Sequence, residues 1–414
     1  MNTWLVVILC IIFTSYFLEF TVSLLNIRAL NSNLPKEFAT TYDASEYKKS
    51  QEYTKATAFS SLLENSFSTV ITVTFLLYGG FNSVDAWARG FGFGEISTGL
   101  LFTGALGLFM FFVHLPFSVY ATFVIEERFG FNRTSSKTFL FDLLKAGLLT
   151  ILLGAPLLAL ILWFFINAGA NGWIYCWLGV VTFSVALQFL APVLILPLFN
   201  KFSPLKDGPL RQKILDYAAQ EHFRIQGIFT MDGSKRSSKL NAFFTGLGKF
   251  RKIVFYDTLL DRLNEPEIIA VLAHEMGHCK LNHLVKILFA SIIQTGFMFY
   301  FLSFFLSNSS LAEAFFMTEN SIYSSLVFFG FLYAPINLVV SMLFNLFSRR
   351  HEFEADSYAA KTTGNPEWLI NALKKLSKEN LSNLNPHPLM VVVHYSHPPV
   401  LTRIEKLRQF CQPR

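Results

Sequence analysis

The chain has 414 residues, 52% of them hydrophobic and 15% charged, whereas an ordinary globular protein carries roughly 25% charged residues. Forty-seven phenylalanines add to that surplus, and so much apolar surface argues for a lipid solvent and against a soluble enzyme. The four cysteines include no pair at a CxxC spacing, which rules out a disulfide framework or a zinc finger, and the net charge of +6 leaves a nucleic-acid partner to be weighed.

Seven stretches reach the about 20 largely apolar residues that a spanning helix needs: 4–27, 66–84, 96–124, 147–168, 173–199, 284–306 and 322–347. The first has no Lys or Arg ahead of its apolar core, outruns a signal-peptide h-region and lacks a small-x-small cleavage site, so it reads as a span. With seven spans the connecting segments alternate sides. One side collects 28–65, 125–146, 200–283 and everything after 348. The other receives the N-terminus and the links near 85–95, 169–172 and 307–321. Of the 34 Lys and Arg residues only Arg89 falls on this second side. Positive charge marks the cytoplasmic face of a membrane protein, so the basic balance reports topology and requires no nucleic acid. The expected fold is a predominantly α-helical polytopic membrane protein with seven transmembrane helices and a small α/β unit.

That unit falls in 200–283. Residues 210–222 have helical spacing, while 228–231 and 253–256 are short β-branched and aromatic runs that predict strands. Asn264 ahead of Glu265, Pro266 and Glu267 is a helix start: an N-cap, then acids and a proline in the first turn. The helix is expected to run from Glu265 to Leu281.

Within it lies His274-Glu275-Met276-Gly277-His278. Side chains four apart project from one face of a helix, so both imidazoles can bind one Zn²⁺ ion. Glu275 is angled toward the open position of such a metal, where a carboxylate takes the proton of a water. A helical neighbour one position on points elsewhere, which makes Cys279 a packed residue rather than a ligand. A catalytic zinc needs a third protein ligand. His283 falls at the wrong spacing for the longer HExxHxxGxxH pattern. Better candidates follow the seventh span, in Arg349-Arg350-His351-Glu352-Phe353-Glu354-Ala355-Asp356, on a continuation of that span. Two spans separate His278 from this run, so both lie on one side of the membrane. On composition alone, Glu352, Glu354 and His351 compete for the metal.

These residues resemble those of the integral-membrane CAAX prenyl proteases, seven-span zinc endopeptidases of the HExxH class. The likeness extends to Glu126-Glu127-Arg128-Phe129-Gly130-Phe131-Asn132, to Pro197-Leu198-Phe199-Asn200-Lys201-Phe202, to Asp232-Gly233-Ser234-Lys235-Arg236-Ser237-Ser238 and to Asn241-Ala242-Phe243-Phe244-Thr245-Gly246. It includes Glu352-Phe353-x-Ala355-Asp356 and His394-Tyr395-Ser396-His397-Pro398-Pro399 with Arg403 following, and spans about residues 126–408. Lys239 and Phe243 depart from it, where a histidine and a tyrosine are expected.

The resemblance implies Glu352 as third ligand and Asp356 as the carboxylate that holds a ligand imidazole. It implies that Asn241, Ala242 and Phe243 pair with an extended peptide substrate, and that His397 and Arg403 polarise the scissile carbonyl or hold the substrate. It also implies spans that enclose a large water-filled chamber. The chain then divides into a five-span region (1–199), a metalloprotease segment (200–283), two further spans (284–347) and a C-terminal segment (348–414) completing the site. The expected function is hydrolysis of peptide bonds by a water that Glu275 activates at one zinc ion. The expected substrate is a peptide or protein, with a prenylated C-terminus in the CAAX proteases. The expected home is the bacterial inner membrane or the endoplasmic reticulum, with the active site facing the cytoplasm. Two rival readings are a quality-control protease for membrane proteins and a non-catalytic zinc-containing scaffold. Against the scaffold, the sequence offers a base and no clear fourth ligand.

Overall fold

The computed structural model describes residues 2–245, 252–306 and 308–410; Gly246 of the quoted motif lies outside them. Among the described residues six helices are long and apolar enough to cross a membrane: Thr3–Arg28, Glu95–Phe129, Ser136–Asn167, Gly169–Phe199, His283–Ser303 and Ile322–Thr363. A bent pair of helices brings the number to seven if it is counted as one span. Helix Ala44–Leu77 turns by 65° into Gly80–Arg89, so the expected stretch 66–84 is not one straight rod. The break falls at Gly79, whose φ of +68° lies in the left-handed region that stops a helix and favours glycine. In none of the six straight spans is more than 22% of the most apolar window buried inside the protein. Phe17, Ile151, Phe289 and Phe297 are among the large side chains left outward on these helices. Exposure on this scale is stable only where the bilayer replaces water.

The connections sort into two ends, as the charge count requires. Asn2 Nδ2 donates to the Ser310 carbonyl at 2.7 Å, the Asn82 side-chain oxygen accepts from the Thr318 amide at 3.0 Å, and Arg89 pairs with Asp85 and Glu319 at 2.8 Å. The N-terminus and the links near residues 85 and 315 thus share one end. Arg89, the lone cation there, is neutralised by two acids.

At the other end sits a four-stranded sheet: β1 (Phe202–Pro204), β2 (Gly227–Met231), β3 (Ala242–Thr245) and β4 (Lys252–Tyr256), in the order β1-β2-β4-β3. β2 and β4 are the two strands expected from sequence and run parallel, with Ile228 opposite Ile253; helix Pro209–Gln220 lies between β1 and β2 in the chain. β1 and β3 pair antiparallel at the edges. Helix Glu265–Lys280 packs beside them. Its start carries a full capping box, with Asn264 accepting from the Glu267 amide and Glu267 accepting from the Asn264 amide. From Glu267 to Gly277 only Glu275 is not fully buried. Leu272, Ala273 and Met276 join Phe255, Ile370 and Leu373 in one core.

Helix Ile322–Thr363 has 42 residues, about 63 Å at 1.5 Å per residue, twice the roughly 30 Å hydrocarbon thickness. One continuous rod therefore serves as the last span and then projects beyond it, carrying residues 349–356 to the motif helix. Gly277 sets how near the two helices come. A Cβ placed there would lie 3.0 Å from the Ala355 Cα and 3.2 Å from the Tyr358 Cβ.

Candidate metal centre

Because the two helices cross at Gly277, His274 and His278 face Glu352. The Nε2 atoms of the two histidines are 3.1 Å apart. Glu352 brings one oxygen to 3.4 Å from His274 Nε2 and the other to 3.3 Å from His278 Nε2. Donors bound at about 2.0–2.1 Å on the corners of a tetrahedron lie roughly 3.3–3.4 Å apart, so the three side chains are spaced as a zinc site needs them. Glu352 is buried, and its Oε2 makes no hydrogen bond, although the Arg403 guanidinium faces it at 3.2 Å. Two imidazole nitrogens and a buried carboxylate that converge at this spacing are a donor set that a divalent cation takes. The residues fit the metal.

The supporting atoms also agree. Asp356 Oδ1 is 2.9 Å from His274 Nδ1. A carboxylate there holds the proton on Nδ1 and leaves the lone pair of Nε2 free for a metal. Arg403 stands behind both carboxylates. Its Nε and Nη2 donate to the two oxygens of Asp356 at 2.8 and 2.6 Å, and its Nη1 lies 3.2 Å from Glu352 Oε2. It is buried. Burial alone would lower its pKa, but Asp356 and Glu352 more than reverse this and keep it charged. The resemblance implies that Arg403 polarises the scissile carbonyl or holds substrate; in the structure its guanidinium contacts the carboxylates of Asp356 and Glu352.

Glu275 lies between the two histidines in sequence and is partly buried. Loss of hydration, the largest influence, holds its pKa above the ordinary carboxylate range, while His274 and His278 pull it back part of the way. Such a shift suits a group that must both take and return a proton. His397, from the loop before helix Val400–Arg408, brings Nε2 to 3.3 Å from Glu352 Oε1 and remains exposed. Cys279 is half-buried against the core, as expected for a packing residue.

β3 begins at Ala242 and Phe243 and touches the motif helix. Among the described residues it is an edge strand, paired on one side only. Asn241 is exposed just before it, and Phe243 meets the Tyr256 ring edge-on. Lys239, the first departure from the expected pattern, reaches back to the membrane region. Its Nζ is 2.8 Å from the Tyr53 hydroxyl and 3.0 Å from Glu126. The 126–132 loop thus braces the segment leading into β3, aided by a hydrogen bond from the Ser238 amide to the Phe131 carbonyl.

Sequence reasoning missed two parts of this site: the spacing role of Gly277, and the position of His283, discussed below. A glycine between two ligands signals a close helix approach only once the partner helix is known.

Residues 23–201 match the family described as CAAX prenyl protease N-terminal, five membrane helices, and residues 204–410 match peptidase family M48. The chain belongs to peptidase family M48. It is a multi-pass membrane metalloprotease of the CAAX prenyl protease type, in a family whose members are zinc-dependent. It is 34% identical to CAAX prenyl protease 1 homolog of Oryza sativa subsp. japonica, with 98% of this chain and 97% of the relative covered. It is 33% identical to CAAX prenyl protease 1 of Saccharomyces cerevisiae, covering 91% and 88%. The crystal structure of S. mikatae Ste24p superposes with a TM-score of 0.93 at 31% identity, over 98% of this chain and 99% of that one.

Proposed function

We propose that this protease removes C-terminal tails from prenylated proteins, with its active site toward the cytoplasm. The observation that carries the reading is the convergence of His274, His278 and Glu352 beside Glu275, next to β3, a sheet edge among the described residues. The names of its relatives support the prenylated substrate. The cytoplasmic orientation is supported by the Lys and Arg count, in which the segments flanking the site hold nearly all the positive charge.

In this reading His274, His278 and Glu352 hold one zinc ion. Bound there, zinc supplies a Lewis acid that lowers the pKa of a water toward about 7 and polarises the scissile carbonyl. Glu275 takes the proton from the attacking water and returns it to the leaving amine. An extended peptide, starting near Asn241, adds to β3 as a further strand, so that Ala242 and Phe243 fix its register against the motif helix. His397, exposed beside Glu352, holds the oxyanion that develops on the carbonyl. Asp356 holds the His274 ring, and Arg403 acts through Asp356 and Glu352 as a positioning residue. Glu64 and His114, paired at 2.8 Å between two spans, support an aqueous chamber, because ionisable groups at membrane depth face protein or water rather than lipid.

The test uses purified protein in detergent with a farnesylated CAAX peptide and its unprenylated twin, beside Glu275→Gln and a chelator. Cleavage of the prenylated peptide alone, lost with chelation and in Glu275→Gln, is the expected result. Equal cleavage of both peptides would replace tail processing by a broader quality-control activity. Bound zinc with no cleavage of any substrate would favour a non-catalytic scaffold.

A further inference from the structure

His278 turns Nε2 toward His274 and Glu352 and turns Nδ1 away from them. That outer nitrogen lies 3.0 Å from Nδ1 of His283, a buried side chain at the start of the next span. The other nitrogen of His283 lies 3.0 Å from Glu354 Oε2. Glu354 is half-buried, and its second oxygen accepts from Arg350 at 3.1 Å.

Proton counting assigns every role in this row. A neutral imidazole has one N–H and one lone pair. With the lone pair of Nε2 given to a metal, His278 carries its proton on Nδ1 and donates to His283. The Nδ1 of His283 must then accept, so its own proton sits on Nε2 and is donated to Glu354.

We propose that Glu354 and His283 form a relay that fixes the tautomer and ring plane of His278. It is the counterpart of the direct contact from Asp356 to His274, and it rests on the reading of His278 as a zinc ligand through Nε2. Its members are positioning residues, since His283 meets His278 only at the nitrogen turned away from the cluster and Glu354, within the row, meets only His283. His351 supports the relay by stacking on His283, with ring centroids 4.0 Å apart and planes within 8°.

The same three residues, His283, His351 and Glu354, lie close enough to suggest a second metal site. The geometry speaks against it. Stacked rings direct their lone pairs along parallel lines instead of onto one point, and the His283 nitrogen facing Glu354 carries the proton.

The experiment measures zinc affinity of the full-length protein against a competing chelator, together with the visible spectrum of the Co²⁺-substituted protein. Removing outer partners of a metal ligand typically lowers affinity 10–100-fold. His283→Leu and Glu354→Leu are each expected to weaken zinc within about that range and to shift the Co²⁺ bands. The double variant should be no weaker than His283→Leu alone, because both act through one row. His283→Asn, which can accept and donate, should recover most of the loss, as should Glu354→Gln. Wild-type affinity in both leucine variants would overturn the relay, and so would additive losses in the double variant. Two zinc equivalents in the wild type falling to one in His283→Leu would also overturn it, in favour of the second metal site. If His283→Leu does not fold, Glu354→Leu on the half-exposed residue decides alone. His278→Ala separates the two levels of reasoning. Zinc retained in His278→Ala removes the ligand assignment itself, whereas zinc lost there but unaffected in the relay variants removes only the relay.

Discussion

Gly277→Ala adds a single methyl group, and the structure says what that methyl meets. It would sit 3.0 Å from the Ala355 Cα, 3.2 Å from the Tyr358 Cβ and 3.3 Å from the Ala355 Cβ. Carbon atoms rest at about 3.5–4.0 Å, so the neighbouring helix must give by a few tenths of an ångström. The contacts are backbone and Cβ atoms, which cannot rotate away. Overpacking of this kind costs about 1–3 kcal/mol. The consequence for the metal is sharper, because Glu352 rides on the displaced helix three residues before Ala355. Metal–ligand distances tolerate about 0.2 Å, less than the movement forced on the helix. Zinc affinity is therefore expected to fall by at least tenfold, with peptidase activity falling alongside it and the melting temperature lowered. Gly104→Ala serves as control, since a Cβ there meets nothing within 4 Å. Chelator competition and thermal melting in detergent provide the readout. If Gly277→Ala binds zinc and melts like the wild type, the close crossing does not set the ligand spacing and the reasoning fails.

Glu275→Gln should retain zinc yet lose cleavage by about 10²–10⁴-fold, the usual worth of a general base; single-turnover assays on zinc-loaded protein measure it. The same variant makes a pH prediction in protein stripped of metal. Burial raises the Glu275 pKa in the folded state, so the folded form binds the proton more tightly than the unfolded form, and stability falls as pH rises through the folded value. Glu275→Gln should accordingly melt above the wild type near neutral pH, with the gap closing toward the ordinary carboxylate range near pH 4, and a gap that widens on acidification would contradict this. Arg403→Met strands two buried carboxylates and should cost about 3–5 kcal/mol, while Arg403→Lys, unable to form the two-pronged contact with Asp356, should recover only part of it; denaturant melts of the chelated protein compare the three.

Much of the site was legible because its signals are local. The i, i+4 histidines, the Asn264 cap and the alternation of basic and neutral links each follow from a few neighbouring residues. The strands at Ile228 and Ile253 were legible for the same reason. Glu352 was not, on spacing alone. Choosing it over His351 and Glu354 depends on which face of a 42-residue helix meets Gly277, a tertiary fact that only the family likeness anticipated. The bend at Gly79 was hidden because hydropathy runs through it unbroken. β1 was hidden because three residues containing a proline have no strand period to read. The burial of Arg403 against Asp356 and Glu352 was not legible, because it is set by packing between helices distant in sequence.

The charge balance of the centre supplies a reason for the metal that does not depend on motif or likeness. Glu275, Glu352 and Asp356 are brought together with Arg403 as the one permanent cation among them. Ionised, the three acids exceed the guanidinium by two negative charges. Desolvating such an excess is costly, and the folded state has two ways to relieve it. It can take up protons, which the raised pKa of Glu275 already indicates, or it can take up a divalent cation. A cation neutralises the excess while leaving Glu275 ionised for its work as a base. Metal uptake and proton release are then two sides of one equilibrium. Zinc added to chelated protein should thus release protons into a weakly buffered solution, and Glu275→Gln should release fewer. Equal release from both proteins would mean that the Glu275 carboxyl is already ionised before the metal arrives, and that the excess charge is carried in some other way.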